Sequence, residues 1–373
     1  MQTNVANAKI KRRYFERLDE ADGLAESTID AYNQAICRYE EYSGREDFRK
    51  FNRARAVGFK RWLEEGTGGR ALSPGTVYHT LRYLRAFFTW LSGQAGYKSR
   101  ISLDDVAYLA LDKKAVQKVV ASRPVRCPTL EYVLQLTGSI SPQTDIDRRD
   151  QALIAFLLVS AMRDQAVATL PLGCLNVDSL VVSQDPNAGV QTKFSKTIVT
   201  TLMAFDDRLI GYVRDWARYL ITVKLFGPAD PLFPRSKIEQ ADGLCFSAIG
   251  VEPVFWKGTG PIREILKRRA AEAGLEYYHP HSFRHAAFHI AMRHCRTAEQ
   301  LRAISQNFGH EHIATTLTSY GRLEAVEVDG IIRTMDFHPG DASGSGEVNT
   351  EMAKEILAVV EKHRRRQGGS YNE

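Results

Sequence analysis

The chain has 373 residues, a formal charge of +6 at neutral pH, and a globular composition with 44% hydrophobic and 25% charged residues. This length suits two domains, and the composition supplies enough apolar material for two cores. There is no apolar run of the ~20 residues that a membrane span requires, no secretion signal at the polar and then basic N-terminus, and no metal-ligand spacing among the five cysteines. We therefore expect a cytoplasmic protein with reduced thiols and a polyanionic partner such as nucleic acid.

The spacing of apolar residues over 27–112 predicts a helical domain. A basic N-terminal extension is expected before it, at residues 1–26. The clearest helix start is Ser73-Pro74, a capping residue followed by proline in the first turn. Ser27 is expected to cap an earlier helix, because apolar side chains follow it at helical spacing. The helix after Ser73 leaves three basic side chains outside its apolar stripe. These side chains are His79, Arg82 and Arg85. They are candidate DNA contacts, although charged residues on a helix often only face solvent.

A basic linker is predicted at residues 113–127, and a second domain at residues 128–336. The nearly all-apolar segment Gln151–Val159 predicts a deeply buried helix. A β-rich insert interrupts the helices, with strands expected at Leu180–Ser183, Val190–Lys193 and Thr197–Leu202. The fold class is therefore mainly α with a small β-sheet insert (α+β). Residues 337–373 predict a flexible linker and a C-terminal helix, which would pack on its own domain or on a neighbouring subunit.

Four motifs of the second domain carry side chains suited to catalysis: Arg163 directly after the buried helix, Lys193 at the tip of the expected hairpin, His281 with Arg284, and His310 followed by Tyr320. His281 and Arg284 are three residues apart, which places them on one face of a helix. Taken singly these are weak signals. An arginine at a helix C-terminus often only neutralises the helix dipole, and a lysine in a turn is usually only exposed.

A metal site has to be weighed, because seven of the ten histidines lie between His279 and His312. However, the segment contains no HExxH motif, and no cysteine pair or carboxylate has the spacing of zinc ligands. Most of these histidines would also lie on different helix faces. We expect no metal and no cofactor.

The residue types have one natural target in common, a phosphodiester. An arginine guanidinium group binds phosphate oxygens through two parallel hydrogen bonds, and histidine and lysine transfer protons to and from bridging oxygens. A tyrosine hydroxyl can hold a phosphoryl group covalently. Glycoside, acyl and peptide chemistry would need paired carboxylates or an activated serine or cysteine, and the sequence shows neither arrangement.

The order Arg…Lys…His-x-x-Arg…Gly-His…Tyr resembles the catalytic pattern of the tyrosine recombinases, or phage integrases. The resemblance spans roughly residues 27–325, and the helix ending in Leu84–Leu91 is similar to part of the family's helical core-binding domain. One feature differs from the usual pattern, and one assignment stays open. Ala166 stands where an acidic residue normally supports the first arginine, and Lys196 competes with Lys193 for the role of the hairpin lysine.

The resemblance implies a metal-free reaction in which Tyr320 attacks the scissile phosphate and forms a 3′-phosphotyrosine. Lys193 would protonate the departing 5′-hydroxyl, and the remaining residues would hold the phosphate or assist proton transfer: Arg163, His281, Arg284 and His310. The implied partners are double-stranded DNA with an inverted-repeat site, further copies of the chain in a homotetramer, and accessory DNA-bending or directionality proteins. A mobile-element integrase is favoured. A type IB topoisomerase and a non-catalytic DNA-binding relative are the alternatives, and the helical domain before the catalytic residues favours a recombinase over a topoisomerase.

Overall fold

The computed structural model describes residues 4–66, 71–120, 125–240, 246–310 and Arg333. The chain divides between Arg123 and Pro124 into two compact units, each with its own hydrophobic core. Both are mainly helical, and the second also contains short antiparallel strands, which confirms the predicted fold class. Within the described ranges, no helix is both long enough and apolar enough to cross a membrane.

The described part of the first unit contains six helices: α1 (Val5–Glu20), α2 (Glu26–Tyr42), α3 (Arg53–Glu65), α4 (Pro74–Ser92), α5 (Leu103–Ala107) and α6 (Lys113–Val120). The predicted start of α4 is confirmed, because the Ser73 hydroxyl accepts a hydrogen bond from the Thr76 amide at 3.1 Å. The prediction that Ser27 caps α2 is wrong. The N-cap is Ala25, and Ser27 lies within the first turn.

Helix α1 belongs to the core of the first unit and is not an extension of it. Ile10, Tyr14 and Leu18 recur every four residues and are buried in the same core as α2 and α4. The buried Asn7 ties α1 to the loop after α2, since its side-chain amide donates to the Glu46 carbonyl at 2.9 Å. The basic residues between the apolar positions had suggested a separate segment. At the other end of the unit, α6 occupies part of the expected linker at 113–127.

Aromatic side chains form much of this core. The rings of Phe51 and Phe88 are stacked with centroids 3.9 Å apart, and Tyr39 meets Phe59 and Phe88 edge to face. Such pairs stabilise a fold beyond the apolar area they bury. The apolar side of α4 packs into this aromatic core, so the polar side of the helix faces outward.

The second unit's described residues form seven helices: α7 (Leu130–Gly138), α8 (Asp145–Ser160), α9 (Asp164–Ala168), α10 (Asp207–Thr222), α11 (Gly260–Glu272), α12 (Pro280–His294) and α13 (Ala298–Asn307). The predicted buried helix is α8, in which every residue from Arg149 to Ser160 is buried. It packs against α7, α10 and α12. Its last residues lead directly to Arg163, so the core helix fixes where that side chain begins.

Two antiparallel sheets accompany these helices: β1 (Leu175–Asn176), β2 (Val181–Gln184) and β3 (Ile198–Thr201) in one, β4 (Ser236–Gln240) and β5 (Phe246–Val251) in the other. In the first sheet Val181 lies opposite Thr201. The expected strand at Val190–Lys193 is wrong. Gly189, with φ of +92°, ends a turn, and the chain then runs through a loop into a short 3-10 turn at Lys193–Ser195. The hairpin β4–β5 was not predicted, because the polar strand β4 shows no apolar alternation.

A buried ionic cluster joins the start of α8 to α11. The carboxylate of Asp150 is fully buried and accepts hydrogen bonds from Arg149 at 2.8 Å, from Arg269 at 2.9 Å and from Arg268. Arg149 also donates to the Pro234 carbonyl at 3.1 Å. Removing this buried anion would cost Arg149 its carboxylate partner among the described residues, while Arg269 would keep Asp147 at 2.7 Å and Glu272 at 3.0 Å.

Candidate active site

Arg284 is the most firmly held of the predicted site residues. It lies on α12, is 3% exposed, and donates to two backbone carbonyl oxygens at 2.6 Å, those of Ala161 and Phe308. Its guanidinium carbon also lies 4.9 Å from the centre of the Phe308 ring. These contacts join three segments at one side chain: the end of α8, α12, and the turn after α13.

The turn after α13 brings His310 against Arg284. One guanidinium nitrogen lies 3.0 Å from Nε2 of His310. Because a guanidinium only donates hydrogen bonds, Nε2 is the acceptor, and the neutral ring carries its proton on Nδ1. The turn requires a glycine immediately before His310. Gly309 has φ of +69°, and a Cβ atom there would lie 2.6 Å from Cδ1 of Ile198 on β3.

Asn307 fastens the same turn to β3. Its side-chain oxygen accepts from the Thr201 amide at 2.7 Å, and its side-chain nitrogen donates to the Thr201 carbonyl at 3.0 Å. The Thr200 hydroxyl donates to the Asn307 carbonyl at 3.1 Å. The strand that follows the Lys193 turn and the turn that carries His310 are therefore one hydrogen-bonded unit.

Burial and nearby positive charge keep the histidines neutral. Desolvation, followed by the charges of Arg284, Arg163 and Lys193, lowers the pKa of His310 to about 4. Desolvation lowers the pKa of His285 to about 4 as well, with His281 as the next cause. Although His281 is exposed overall, partial desolvation of its ring and the charge of Arg284 lower its pKa. A neutral imidazole can accept a proton, which suits His281 to act as a base.

Arg163 lies where the chain turns out of α8. Ala161 adopts a left-handed conformation with φ of 50°, and Arg163 then becomes the N-cap residue of α9. Its charge contributes to lowering the pKa of both His281 and His310, which places it near both rings. No hydrogen bond or ion pair of its side chain is found among the described residues. Ala166, in the position of the usual acidic residue, is buried with 1% exposure.

Lys193 and Lys196 flank the turn before β3. The ammonium nitrogen of Lys193 lies 4.9 Å, and that of Lys196 5.9 Å, from the centre of the Phe194 ring between them. Lys193 is exposed and is one of the charges that lower the pKa of His310. The positive charge of Lys193 therefore acts on the same imidazole as the charges of Arg163 and Arg284.

The structure thus brings five predicted residues to one place: Arg163, Lys193, His281, Arg284 and His310. Tyr320 lies outside the described residues, as does the predicted C-terminal helix. No group of three or more His, Cys, Asp or Glu side chains suited to a metal ion occurs in the part of the chain that the structure describes. The cluster is cationic, with neutral imidazoles, and has the chemistry of a phosphate-binding site.

The three candidate DNA contacts of the first unit lie on the polar side of α4. His79, Arg82 and Arg85 are exposed there. The Arg82 guanidinium lies 5.2 Å from the centre of the Tyr83 ring, and the His79 ring is stacked on Tyr83 at 6.3 Å. The arrangement combines basic and aromatic groups on one surface, as a nucleic-acid contact would require.

Sequence reasoning missed the groups that hold the catalytic candidates in place. Ala161 and Phe308 act through backbone carbonyls, which every residue possesses, so no sequence signal marks them. His285 is buried next to His281, with ring centres 5.1 Å apart, yet it falls outside the His-x-x-Arg motif. Only Gly309 gave a signal, as the glycine of the Gly-His pair in the family's catalytic order.

Comparison with known proteins agrees with this geometry. Residues 133–326 match the sequence profile of the phage integrase family. No curated protein sequence matches the chain significantly. The profile covers more than half of the chain and all of the predicted catalytic residues, including Tyr320.

Three solved structures show similar folds at low sequence identity. XerH site-specific recombinase bound to palindromic difH substrate has a TM-score of 0.56 and 16% identity, with 87% of this chain and 83% of that chain covered. The Tn1549 transposon integrase in complex with a circular intermediate DNA has a TM-score of 0.51 and 14% identity, covering 87% and 99%. A lambda integrase tetramer bound to a Holliday junction has a TM-score of 0.56 and 12% identity, covering 87% and 81%.

The fold and the cationic cluster define a protein built to act on a phosphodiester. The chain belongs to the phage integrase family, the tyrosine recombinases that cleave and rejoin DNA.

Proposed function

We propose that this protein is a site-specific recombinase whose nucleophile is Tyr320. The observation that carries the proposal is the contact between Arg284 and His310 at 3.0 Å, with the charges of Arg163 and Lys193 acting on the same imidazole. In the proposed reaction the Tyr320 oxygen attacks phosphorus and forms a 3′-phosphotyrosyl ester. The phosphorus–5′-oxygen bond breaks, and the 5′-oxygen takes a proton and leaves as a hydroxyl.

Each side chain near the phosphate has a role that follows from its environment. Arg163 and Arg284 bind the non-bridging oxygens and stabilise the charge that grows on them. His310 adds a hydrogen bond to the same oxygens, from a ring held against Arg284 at 3.0 Å. His281 accepts the tyrosine proton, and Lys193 supplies the proton for the 5′-oxygen. A 5′-hydroxyl from another strand reverses the steps, and because the ester retains the bond energy, the rejoining needs no ATP.

The first unit would supply part of the DNA contact through the polar side of α4. His79, Arg82 and Arg85 lie exposed on it, and the Lys196 ammonium would add a phosphate contact beside the active site. We infer double-stranded DNA with an inverted-repeat site as the substrate, and a homotetramer as the working assembly, with accessory DNA-bending or directionality proteins. The tetrameric lambda integrase complex and the transposon integrase complex support the assembly and a mobile-element role. Such a protein would act in the cytoplasm, at the nucleoid when bound.

The experiment is to express wild type and Tyr320→Phe in cells, recover detergent-stable protein–DNA adducts, and sequence the attached DNA. We expect wild-type adducts at one inverted-repeat sequence and none in the variant. Dispersed adducts would identify a topoisomerase instead. Wild type without adducts, but with specific DNA retention, would identify a non-catalytic DNA-binding protein. Adducts that persist in Tyr320→Phe would show that another residue is the nucleophile.

A further inference from the structure

The turn between Lys193 and β3 has an unusual composition and conformation. Phe194 and Ser195 both adopt left-handed backbone conformations, with φ of 63° and 50°. Positions of this kind favour glycine, asparagine or aspartate, and a bulky aromatic residue there is a genuine exception. The Phe194 side chain is also 76% exposed, among the most exposed of the described large apolar side chains.

Packing among the described residues does not account for a phenylalanine at this position. Its ring is not part of the hydrophobic core formed by the described residues of the second unit, and its backbone conformation is one that an asparagine or glycine would adopt with less strain. Two cations lie close to the ring, the ammonium groups of Lys193 and Lys196 at 4.9 and 5.9 Å from the ring centre. An exposed aromatic ring between two lysines is suited to a surface that is anionic and offers flat apolar faces. DNA, with phosphates beside sugars and bases, is such a surface.

We propose that Phe194 is a DNA-contacting residue that packs its ring against the sugars and base edges beside the scissile phosphate and so positions Lys193. The inference rests on the proposed function. The placement follows from the fold, because β3, directly after the turn, is hydrogen-bonded through Asn307 to the segment that carries His310. A ring anchored in the groove would hold the turn against the DNA. The ammonium group of Lys193, one residue away, would then be fixed near the leaving oxygen.

A ring contact and a turn requirement can be separated with four variants. Phe194→Gly removes the ring and relaxes the backbone. Ser195→Gly relaxes the backbone of the same turn and keeps the ring, so it is the matched control. Phe194→Tyr and Phe194→Trp keep an aromatic face. All are compared on a synthetic duplex of the site identified from cellular adducts, nicked near the scissile phosphate so that adducts accumulate.

Two measurements are made on each variant. The first is the rate of adduct formation at saturating protein. The second, in the Tyr320→Phe background, is binding to a single half-site, together with the fluorescence of 2-aminopurine placed next to the scissile phosphate. We expect Phe194→Gly to slow adduct formation by about tenfold or more, in line with the loss of one aromatic–nucleic acid contact, and to lose the 2-aminopurine response. Ser195→Gly should match wild type, and the Tyr and Trp variants should restore most of the rate. Phe194→Gly should be at least as stable as wild type to urea.

Three results would overturn the inference. The first is a Phe194→Gly variant that equals wild type in rate and fluorescence. The second is a Ser195→Gly variant that is equally defective, which would assign the effect to the turn alone. A defect seen only on paired sites, with normal half-site binding and fluorescence, would place the ring at an interface between protein copies. Wild type that forms no adduct would contradict the proposed function instead, while half-site binding and fluorescence in the Tyr320→Phe background would still decide whether the ring meets DNA.

Discussion

Replacing Gly309 by alanine tests how the position of His310 depends on β3. The new Cβ would lie 2.6, 3.0 and 3.2 Å from three atoms of the Ile198 side chain: Cδ1, Cγ2 and Cγ1. The backbone would also have to keep φ of +69° with a side chain present, which costs about 1–2 kcal/mol. Overpacking of this kind adds about 1–3 kcal/mol. We therefore expect a total loss of about 2–5 kcal/mol in the free energy of unfolding of the second unit.

A double-mutant cycle separates the two contributions. Ile198→Ala removes all three of the atoms that the new Cβ would meet, so only the backbone cost remains when Gly309→Ala is made in that background. The two substitutions should therefore be non-additive by about 1–3 kcal/mol. DNA cleavage should fall in Gly309→Ala and recover in part in the double variant, because His310 returns towards Arg284.

Urea unfolding measures the free energies, and hydrogen exchange read by mass spectrometry on peptides from α13 and β3 locates the change. Exchange should accelerate in Gly309→Ala in both segments, since the hydrogen bonds of Asn307 join them. An equal cost of Gly309→Ala in the wild-type and Ile198→Ala backgrounds would refute the steric reasoning. It would leave the backbone conformation as the sole reason for the glycine.

Three further predictions follow from the buried charges and from the turn. The pKa values of His310 and His285 are lowered to about 4 from a usual value near 6.5, so between these pH values the unfolded chain binds protons that the native chain does not. The free energy of unfolding should therefore be at its full value above pH 6.5 and fall as the pH drops towards 4, by up to about 3 kcal/mol per residue. Urea titrations at several pH values measure this dependence, and His285→Gln should make it less steep. Lys193→Ala should cleave an ordinary duplex slowly but a duplex with a 5′-bridging sulfur almost normally, because a thiolate leaves without a proton. Lys196→Ala should weaken DNA binding and should not be rescued by the sulfur substrate. The opposite pattern would make Lys196 the general acid. Asp150→Asn should destabilise the second unit by about 3–5 kcal/mol in urea, since three guanidinium groups lose their buried anion, and a loss below 1 kcal/mol would contradict that account.

Elements with strong local signals were predictable from the sequence. The apolar segment 151–159 could only be a buried helix, and Ser73-Pro74 starts α4 as its capping chemistry requires. Helix α1 was not recognised, because its stripe of Ile10, Tyr14 and Leu18 is interrupted by basic residues that resemble a charged tail. The supposed strand at 190–193 shows the limit of alternation as a signal. Its residues follow Gly189 in a loop whose path is set by contacts from elsewhere, such as the Thr169 hydroxyl, which accepts from the Gln191 amide at 2.9 Å.

The candidate site divides in the same way. Side chains with distinctive chemistry, such as Arg284 and His310, could be selected because their types and spacing point to a phosphodiester. Their supports could not, since a carbonyl oxygen is the same in every residue and the left-handed turn at Ala161 has no glycine to mark it. The buried His285 had a visible residue type but no motif, and only its contact with His281 shows that it belongs to the site.

The backbone anchoring of Arg284 has a consequence for how such a site can change over time. Its two strongest contacts are to carbonyl oxygens, and almost any substitution at 161 or 308 would keep those oxygens as long as the chain path stays the same. An arginine held in this way depends on the shape of the backbone far more than on the identity of its neighbours. Surrounding residues are then free to diverge without moving the guanidinium group, so enzymes with this arrangement can acquire new DNA specificities while the chemistry at the phosphate stays in place.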